Sequence, residues 1–537
     1  MTQTRPHLPR GRTGAGFALL ATLLAGAAPP QDPFAPALRW TAQAPASAPW
    51  IPASVAFAGR DNLVWAGGSG AATRMMVLDV EAAGANDPRF VDVGVAPSVG
   101  ALLAVACDRA DAVFTCAQYV APTIYQRRTE ISRNDPVAAS AGAPFGPVWS
   151  HDMGLISNGP AALATDDAGE LVVAAAWDNA TSKVHVHWLD ATTGALLEAV
   201  VVTGAALSEI RVSGDGSRVL LAAGLDLYVF DARGRELHHS PLLSATHALA
   251  ISADGGTLVV GGIGRLVVLE QLADVYSPVF EVLAPGNHIA TCADVSAAGE
   301  TIAVGWWNYA NGVDLTLEVW DGIQFTLLLS LDQRGLAGGV QNLPEVARVT
   351  PDGRRIAFGC WGNGTATPEV VLLDRDEQAP ILALDLPGSC RALDLDDSGT
   401  RVVVAYKDAH VNLFAATGGI RLYDTGEREL QQLAPAEVGG AVPLAAKHEN
   451  ASAAFFLVGD PAPPMVIPGV QGALLLDRHT LSVYPVPADA SGRADFLLPI
   501  PASPVMIGVH LAVQGAFRVG PSLVLTHGFL APLVLDL

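Results

Sequence analysis

One short phrase recurs eight times along the chain: a small-residue hairpin turn, an apolar run, then a second apolar run closed by an acid. The clearest copies are SGDGSRVLLAAG (213–224), SADGGTLVVGG (252–262), TPDGRRIAFGC (350–360) and DDSGTRVVVAY (396–406). Weaker copies are GRDNLVWAGG (59–68), CDRADAVFTCA (107–117), DDAGELVVAAAW (166–177) and SAAGETIAVGWW (296–307). Asp-Gly and Ser-Gly pairs suit hairpin turns because glycine accepts positive φ without steric cost. The closing acids are Asp79, Asp190, Asp231, Glu270, Asp321, Asp374 and Asp424; the second copy alone lacks one. Polar residues follow each acid and lead into a fourth apolar run. Runs of four to seven residues rich in Val, Leu and Ile, bounded by Gly, Asp and Asn, predict an all-β chain.

A repeat of roughly 40–50 residues built from short strands predicts the blades of a β-propeller. Eight blades are expected over residues 50–435, with seven as the alternative, because the second unit is irregular and residues 135–160 read as a long excursion. The turn-plus-strand phrase and the endings LYVFD, LEVWD and IRLYD resemble WD40-like and YVTN-type propeller repeats. The chain has no Gly-His pair at blade starts and only one strand-ending Trp-Asp, Trp320-Asp321. The resemblance therefore implies a fold and no particular chemistry.

Residues 1–27 read as a signal peptide: Arg5, Arg10 and Arg12 precede the apolar core GFALLATLLAGAA (16–28), and Ala25-Gly26-Ala27 offers a cleavage site. That core is too short for a membrane span. The expected location is secreted: periplasmic, cell-surface or extracellular. Residues 28–49 are rich in Pro and Ala and read as a linker, although 38–44 offers a closing strand. Residues 436–537 carry closely spaced apolar runs separated by Pro and Gly, which predict a small β-sandwich. This region resembles C-terminal β-domains of exported proteins from planctomycete-type bacteria. The net charge of −22 disfavours nucleic acid and anionic membranes as partners.

The turn glycine and the closing acid bracket the second-to-third strand connection. Gly216–Asp231 and Gly255–Glu270 span 15 positions, Gly169–Asp190 and Gly353–Asp374 span 21, Gly299–Asp321 spans 22 and Gly399–Asp424 spans 25. Four units thus carry extra residues at one end, where insertions mark a working face. Those connections open with Trp177-Asp178-Asn179, Trp306-Trp307-Asn308-Tyr309, Trp361-Gly362-Asn363 and Tyr406-Lys407-Asp408. Aromatic rings beside amides and carboxylates suit a glycan, peptide or protein partner, since rings cover apolar faces while amides bind hydroxyls. The competing reading packs these tryptophans between blades.

The favoured function is a non-catalytic binding module with no cofactor. One alternative is a lactonase, lyase or quinoprotein-like enzyme with its site in the central channel, where Asp294 and Asp394 are the inner-strand acids. The other is a structural surface protein. Cys107 with Cys116, and Cys360 with Cys390, are candidate disulfides, weighed against all five cysteines being small buried hydrophobes. Asp394, Asp396 and Ser398 mimic the start of a calcium loop, but a plain hairpin is the better reading. His185 and His187 share one face of a strand without a third ligand. His151 and His238-His239 are assigned to loops. No metal site, P-loop, HExxH or nucleophile elbow is present in the sequence.

Overall fold

The computed structural model describes residues 37–532 with gaps, the larger ones at 44–49, 80–88, 92–101, 107–112, 121–125, 135–146, 433–438 and 503–509. Contacts divide the chain into two compact units, one spanning Pro36–Arg428 and the other running on from Glu429. Both are built from β-sheets, antiparallel apart from one short parallel pair in the second unit, Val470–Gln471 with Ser522–Leu525, and among the described residues no helix is long and apolar enough to cross a membrane.

In the first unit, eight sheets of four strands follow one another along the chain among the described residues. Sheet one comprises Trp50–Ala58, Leu63–Gly70, Arg74–Asp79 and Arg89–Val91. Sheet two comprises Leu102–Ala106, Val113–Val120, Gln126–Asn134 and Trp149–Ser157. Sheets three and four begin at Ala161–Thr165 and Leu207–Val212 and end with Leu196–Thr203 and Glu236–Pro241. Sheets five, six and seven begin at Thr246–Ile251, His288–Val295 and Pro344–Val349. Sheet eight takes three strands from Cys390–Leu395, Arg401–Lys407 and Gly418–Asp424, and its fourth from Ala37–Gln43. The segment read as a linker therefore contributes a strand, as the run 38–44 offered. The first unit ends at Arg428 rather than the expected 435. Residues 149–157 are the fourth strand of sheet two, so the excursion expected over 135–160 does not extend across them.

The recurring phrase has a local cause. In the turn between first and second strands, the Ser213, Ser252 and Thr350 hydroxyls donate to Asp215, Asp254 and Asp352 (2.6–2.7 Å). Each of those aspartates accepts the backbone N–H two residues on. The next residue, Gly216, Gly255 or Gly353, sits at φ of 69–72°, where a side chain would be strained. In sheet eight Asp396 takes the hydroxyl's place, accepting Arg401 N–H (2.9 Å) and the hydroxyls of Ser398 and Thr400. The calcium-loop mimic is thus a hairpin.

The closing acid also holds one register throughout. It stands opposite the first residue of the second strand, as in Leu63↔Asp79, Leu171↔Asp190, Arg218↔Asp231, Thr301↔Asp321 and Arg355↔Asp374. From there Asp231, Asp321 and Asp374 accept backbone N–H groups of the turn into the fourth strand. Sheet two places Asn134 at this position, buried and donating to Thr115 Oγ1 (3.3 Å). The amide thus keeps the register of the acid but donates instead, and its Oδ1 is buried without a hydrogen-bond partner among the described residues.

The first strand of each sheet contacts the first strand of the next, and that of sheet eight contacts that of sheet one. Second strands are buried on both faces, which is why they read as continuous apolar runs. The cores lie between adjacent sheets: Trp188 and Phe230 meet edge to face between sheets three and four (5.4 Å), and Phe358 joins sheets six and seven.

In the second unit, Leu430–Gln432, Ala441–Lys447 and Arg493–Pro499 form a three-stranded sheet. The larger sheet is centred on Ala451–Gly459 and His510–Val519. The two sheets share a core around Val442, Leu444, Phe456, Val513 and Phe517. Leu457, next to Phe456, points instead into a second core with Leu474 and Leu525. The apolar run 453–459 is thus buried on both faces.

Candidate functional site

Trp177, Trp307 and Trp361 occupy one register at the end of the second strands. Trp177 and Trp361 donate their backbone N–H to Pro160 O and Leu343 O of the preceding connection, and Trp307 pairs with Ile289. The indole N–H of each of these three is used internally. Trp177 donates to Gly204 O (3.1 Å) and packs on the core between sheets three and four. Trp307 donates to Gly312 O (3.2 Å), and Trp361 to Glu345 Oε2 (2.7 Å). Trp306 is buried in the core between sheets five and six, its N–H shared with that of Trp320 on Glu318 Oε2 (2.8 and 3.0 Å). Tyr406 is buried, with the Arg421 guanidinium 4.9 Å from its ring centre. The three register tryptophans remain half-buried, so each keeps part of a ring at the surface while its polar edge is satisfied.

The polar residues beside them close turns. Asp178 accepts Ala180 N–H (3.1 Å) and the Thr181 hydroxyl (2.7 Å), and Asn308 accepts Ala310 N–H (3.1 Å). Asp408 accepts the Thr417 hydroxyl, and Asn363 is buried. Asn179 and Tyr309 face solvent, Tyr309 at 43% exposure with its hydroxyl on Asn287 Oδ1 (3.3 Å). Across sheets seven and eight, His410 meets Trp361 edge-on (6.3 Å) while its Nε2 lies 2.7 Å from Gln341 O. The sheet-eight connection thus folds back over its neighbour's rim. Glu369 beside it, missed in the sequence, accepts Leu386 N–H (2.7 Å), and burial first, then nearby Asp385, pushes its carboxyl up to about 7.

Cys360 and Cys390 are free, buried thiols rather than a bridge, because their side chains enter different cores, Cys360 between sheets six and seven and Cys390 between seven and eight. Cys116 is also a free thiol, pushed up to about 12 by burial; Cys107 lies outside the described residues.

A second constellation lies at the opposite strand ends. Five residues before the turn glycine, the first strands of sheets four, six, seven and eight carry Arg211, Asp294, Arg348 and Asp394; sheets three and five carry alanine. These charges line a cavity of about 360 Å³. Arg348 Nε lies 3.2 Å from Asp394 Oδ1, and Arg211 is paired with Glu209 (2.5 Å) on its own strand. Asp294 accepts Val349 N–H (2.8 Å) from sheet seven, and Asp394 accepts Phe57 N–H (3.0 Å) from sheet one. The acids therefore staple one first strand to the next. Burial pushes the carboxyls of Glu209, Asp294 and Asp394 up, against the pull of Arg348 and Arg211. The group stays wet, with Arg348 and Asp394 at 29% and 21% exposure. Asp294 and Asp394 were anticipated; Glu209, Arg211 and Arg348 were not, although counting back from each turn glycine finds both arginines. Among the described residues no three His, Cys, Asp or Glu side chains are arranged to hold a metal ion.

Two histidines assigned to separate segments also meet. His151 lies in the fourth strand of sheet two rather than a loop, and its Nε2 is 2.9 Å from Nδ1 of His187 in sheet three. His238 and His239 likewise lie in a strand. Burial lowers both members of the pair, and with neighbouring His151 and His185 it brings His187 to about 4. As pH falls from 6.5 towards 4 the unfolded chain therefore takes up protons before the folded one, and stability present above 6.5 is lost. The urea midpoint is expected to drop between pH 7 and 4.5, and His187→Gln to flatten that slope. An unchanged slope in the variant would assign the pH dependence to other groups.

Comparison with protein-family models and with curated protein sequences finds no match to this chain.

Proposed function

We propose that the first unit is an eight-bladed β-propeller of the WD40-like or YVTN type. In this reading the chain is an exported, non-catalytic binding module, with residues 1–27 as its signal peptide and the second unit a β-sandwich that attaches or stabilises. Support for the ring comes from the eight consecutive four-stranded sheets, the contact of the last first strand with the first, and the Asp394–Phe57 hydrogen bond. The partner, a glycan, peptide or protein, docks on the face carrying the long second-to-third connections. The observation that carries this is the shared register of Trp177, Trp307 and Trp361 at that end, each half-buried with its indole N–H already satisfied. Such rings are held rigid and offer their apolar surface, which suits the apolar face of a sugar or a peptide side chain.

The cavity lined by Asp294, Arg348 and Asp394 supports the second reading, an enzyme with its site in the channel. It is the weaker one, since those charges are occupied with one another and with backbone N–H groups.

Glycan and peptide arrays probed with the intact chain test the binding reading. Trp307→Ala and Trp361→Ala are expected to weaken binding at least tenfold. Trp149→Ala, at the opposite strand ends with its N–H on Ala191 O (3.0 Å), is expected to leave it unchanged. Normal binding by the first two variants, or equal loss in all three, removes the rim from consideration. A metal-dependent hydrolytic activity would favour the channel reading instead.

A further inference from the structure

Seven residues after each turn glycine, the second strand sends a side chain towards the preceding sheet. Sheets six and eight place Trp306 and Tyr406 there, and these rings fill the cores they share with sheets five and seven. Sheet five places Gly262 at this position. No side chain fits in its stead, because a Cβ would stand 2.5 Å from Ser244 Oγ and 2.7 Å from Ala245 O. Between sheets four and five the ring's volume remains as a slot of about 190 Å³. Leu227, the counterpart of the Leu266 that packs with Trp306 in the next interface, forms one wall, and Val267, Leu269 and Pro278 form the other.

The polar groups along the slot are mostly committed. Tyr276 Oη donates to Gly255 O (2.6 Å), Ser244 Oγ accepts Ile263 N–H (3.1 Å), and Arg265 is paired with Glu281 (2.8 Å). His238 Nε2, by contrast, is buried in the slot wall without a hydrogen-bond partner. A buried imidazole nitrogen left unpaired is costly, and its presence points to a group that pairs with it. Sheets four and five have the two shortest second-to-third connections, which leave the mouth uncovered and its flanking Leu225 and Ile263 about half exposed (54% and 46%).

We propose that this slot binds a small uncharged aromatic molecule carrying one hydroxyl, with its ring where Trp306 and Tyr406 lie in other interfaces and its hydroxyl on His238 Nε2. A hydroxyl both donates and accepts, so it satisfies either tautomer of the imidazole. A charged ligand gains nothing, since the one cation in the wall is already paired. The site does not depend on what docks at the tryptophan rim.

Calorimetry and thermal melts of the intact chain with p-cresol, toluene and p-toluenesulfonate test it. Saturable p-cresol binding with a concentration-dependent rise in Tm is expected, toluene at least tenfold weaker, and no binding of the sulfonate. His238→Phe should bring p-cresol to the level of toluene and leave toluene unchanged. Ser240→Trp, which fills the slot from the fourth strand of sheet four, should abolish both. Absence of saturable p-cresol binding, equal affinity for p-cresol and toluene in the unmodified chain, or undiminished binding by a folded Ser240→Trp variant overturns the proposal. The comparison in the unmodified chain stands even if a variant fails to fold.

Discussion

Asp374→Ala is expected to destabilise the first unit by about 3–5 kcal/mol, the range for removing one partner of a buried ion pair. Asp374 is almost fully buried (1% exposed) and contacts two guanidinium groups: Arg354 Nε at 3.0 Å and Arg355, itself 6% exposed. Its other oxygen accepts Asp376 N–H (2.8 Å) and so shapes the turn into the fourth strand. Removing it leaves the Arg355 cation in the protein interior short of its counter-charge, which costs far more than the exposed half of the interaction with Arg354. Arg355 also packs across to the turn of sheet eight, where a Cβ on Gly399 would lie 2.3 Å from its Cγ. The damage should therefore reach two sheets. Urea denaturation checks the value, with Arg354→Ala as the internal control: its side chain is 59% exposed and its loss should cost no more than about 1 kcal/mol. Equal costs for the two variants would mean that the buried pair contributes no more than a surface one.

The same residue illustrates what the sequence made readable. Closing acids such as Asp374 and turn glycines such as Gly353 recur because each solves a local hydrogen-bonding problem, and local problems leave local traces. The repeat, the strand order within each sheet and the all-β class follow from them. Partners across sheets leave no such trace. Nothing near Arg348 in the chain announces Asp394, and nothing near His151 announces His187. The rim tryptophans were visible by register, yet whether an indole N–H meets Gly204 after the fourth strand, Gly312 in its own connection or Glu345 on the first strand depends on how each sheet folds around it. The slot at Gly262 is harder still to read, because its signal is the absence of any side chain where other sheets carry alanine, cysteine or an aromatic ring.

Removing residues 37–43 is expected to have a still larger effect than Asp374→Ala. This strand completes sheet eight, pairing Ala37–Gln43 with Gly419–Asp424. Trp40 is 6% exposed and packs with Trp50, Phe57 and Ile420, so the core it enters is shared by the first and last sheets of the unit. Arg39 adds an ion pair to the buried Asp424 (2.7 Å). Trp40→Ala alone should cost about 3–5 kcal/mol through lost burial and the cavity left behind. Deleting the strand adds the loss of its backbone ladder and leaves Gly418–Asp424 as an open edge prone to pairing with other chains. The deleted chain should thus melt well below Trp40→Ala and aggregate on heating. Because the missing element is a single strand, a synthetic peptide of sequence ALRWTAQ should restore part of the melting temperature in a concentration-dependent way, while the same peptide with Trp replaced by Ala should not. A truncated chain that melts with the intact one would mean that sheets one and eight are joined by their own first strands, through contacts such as Asp394 to Phe57, without need of the added strand.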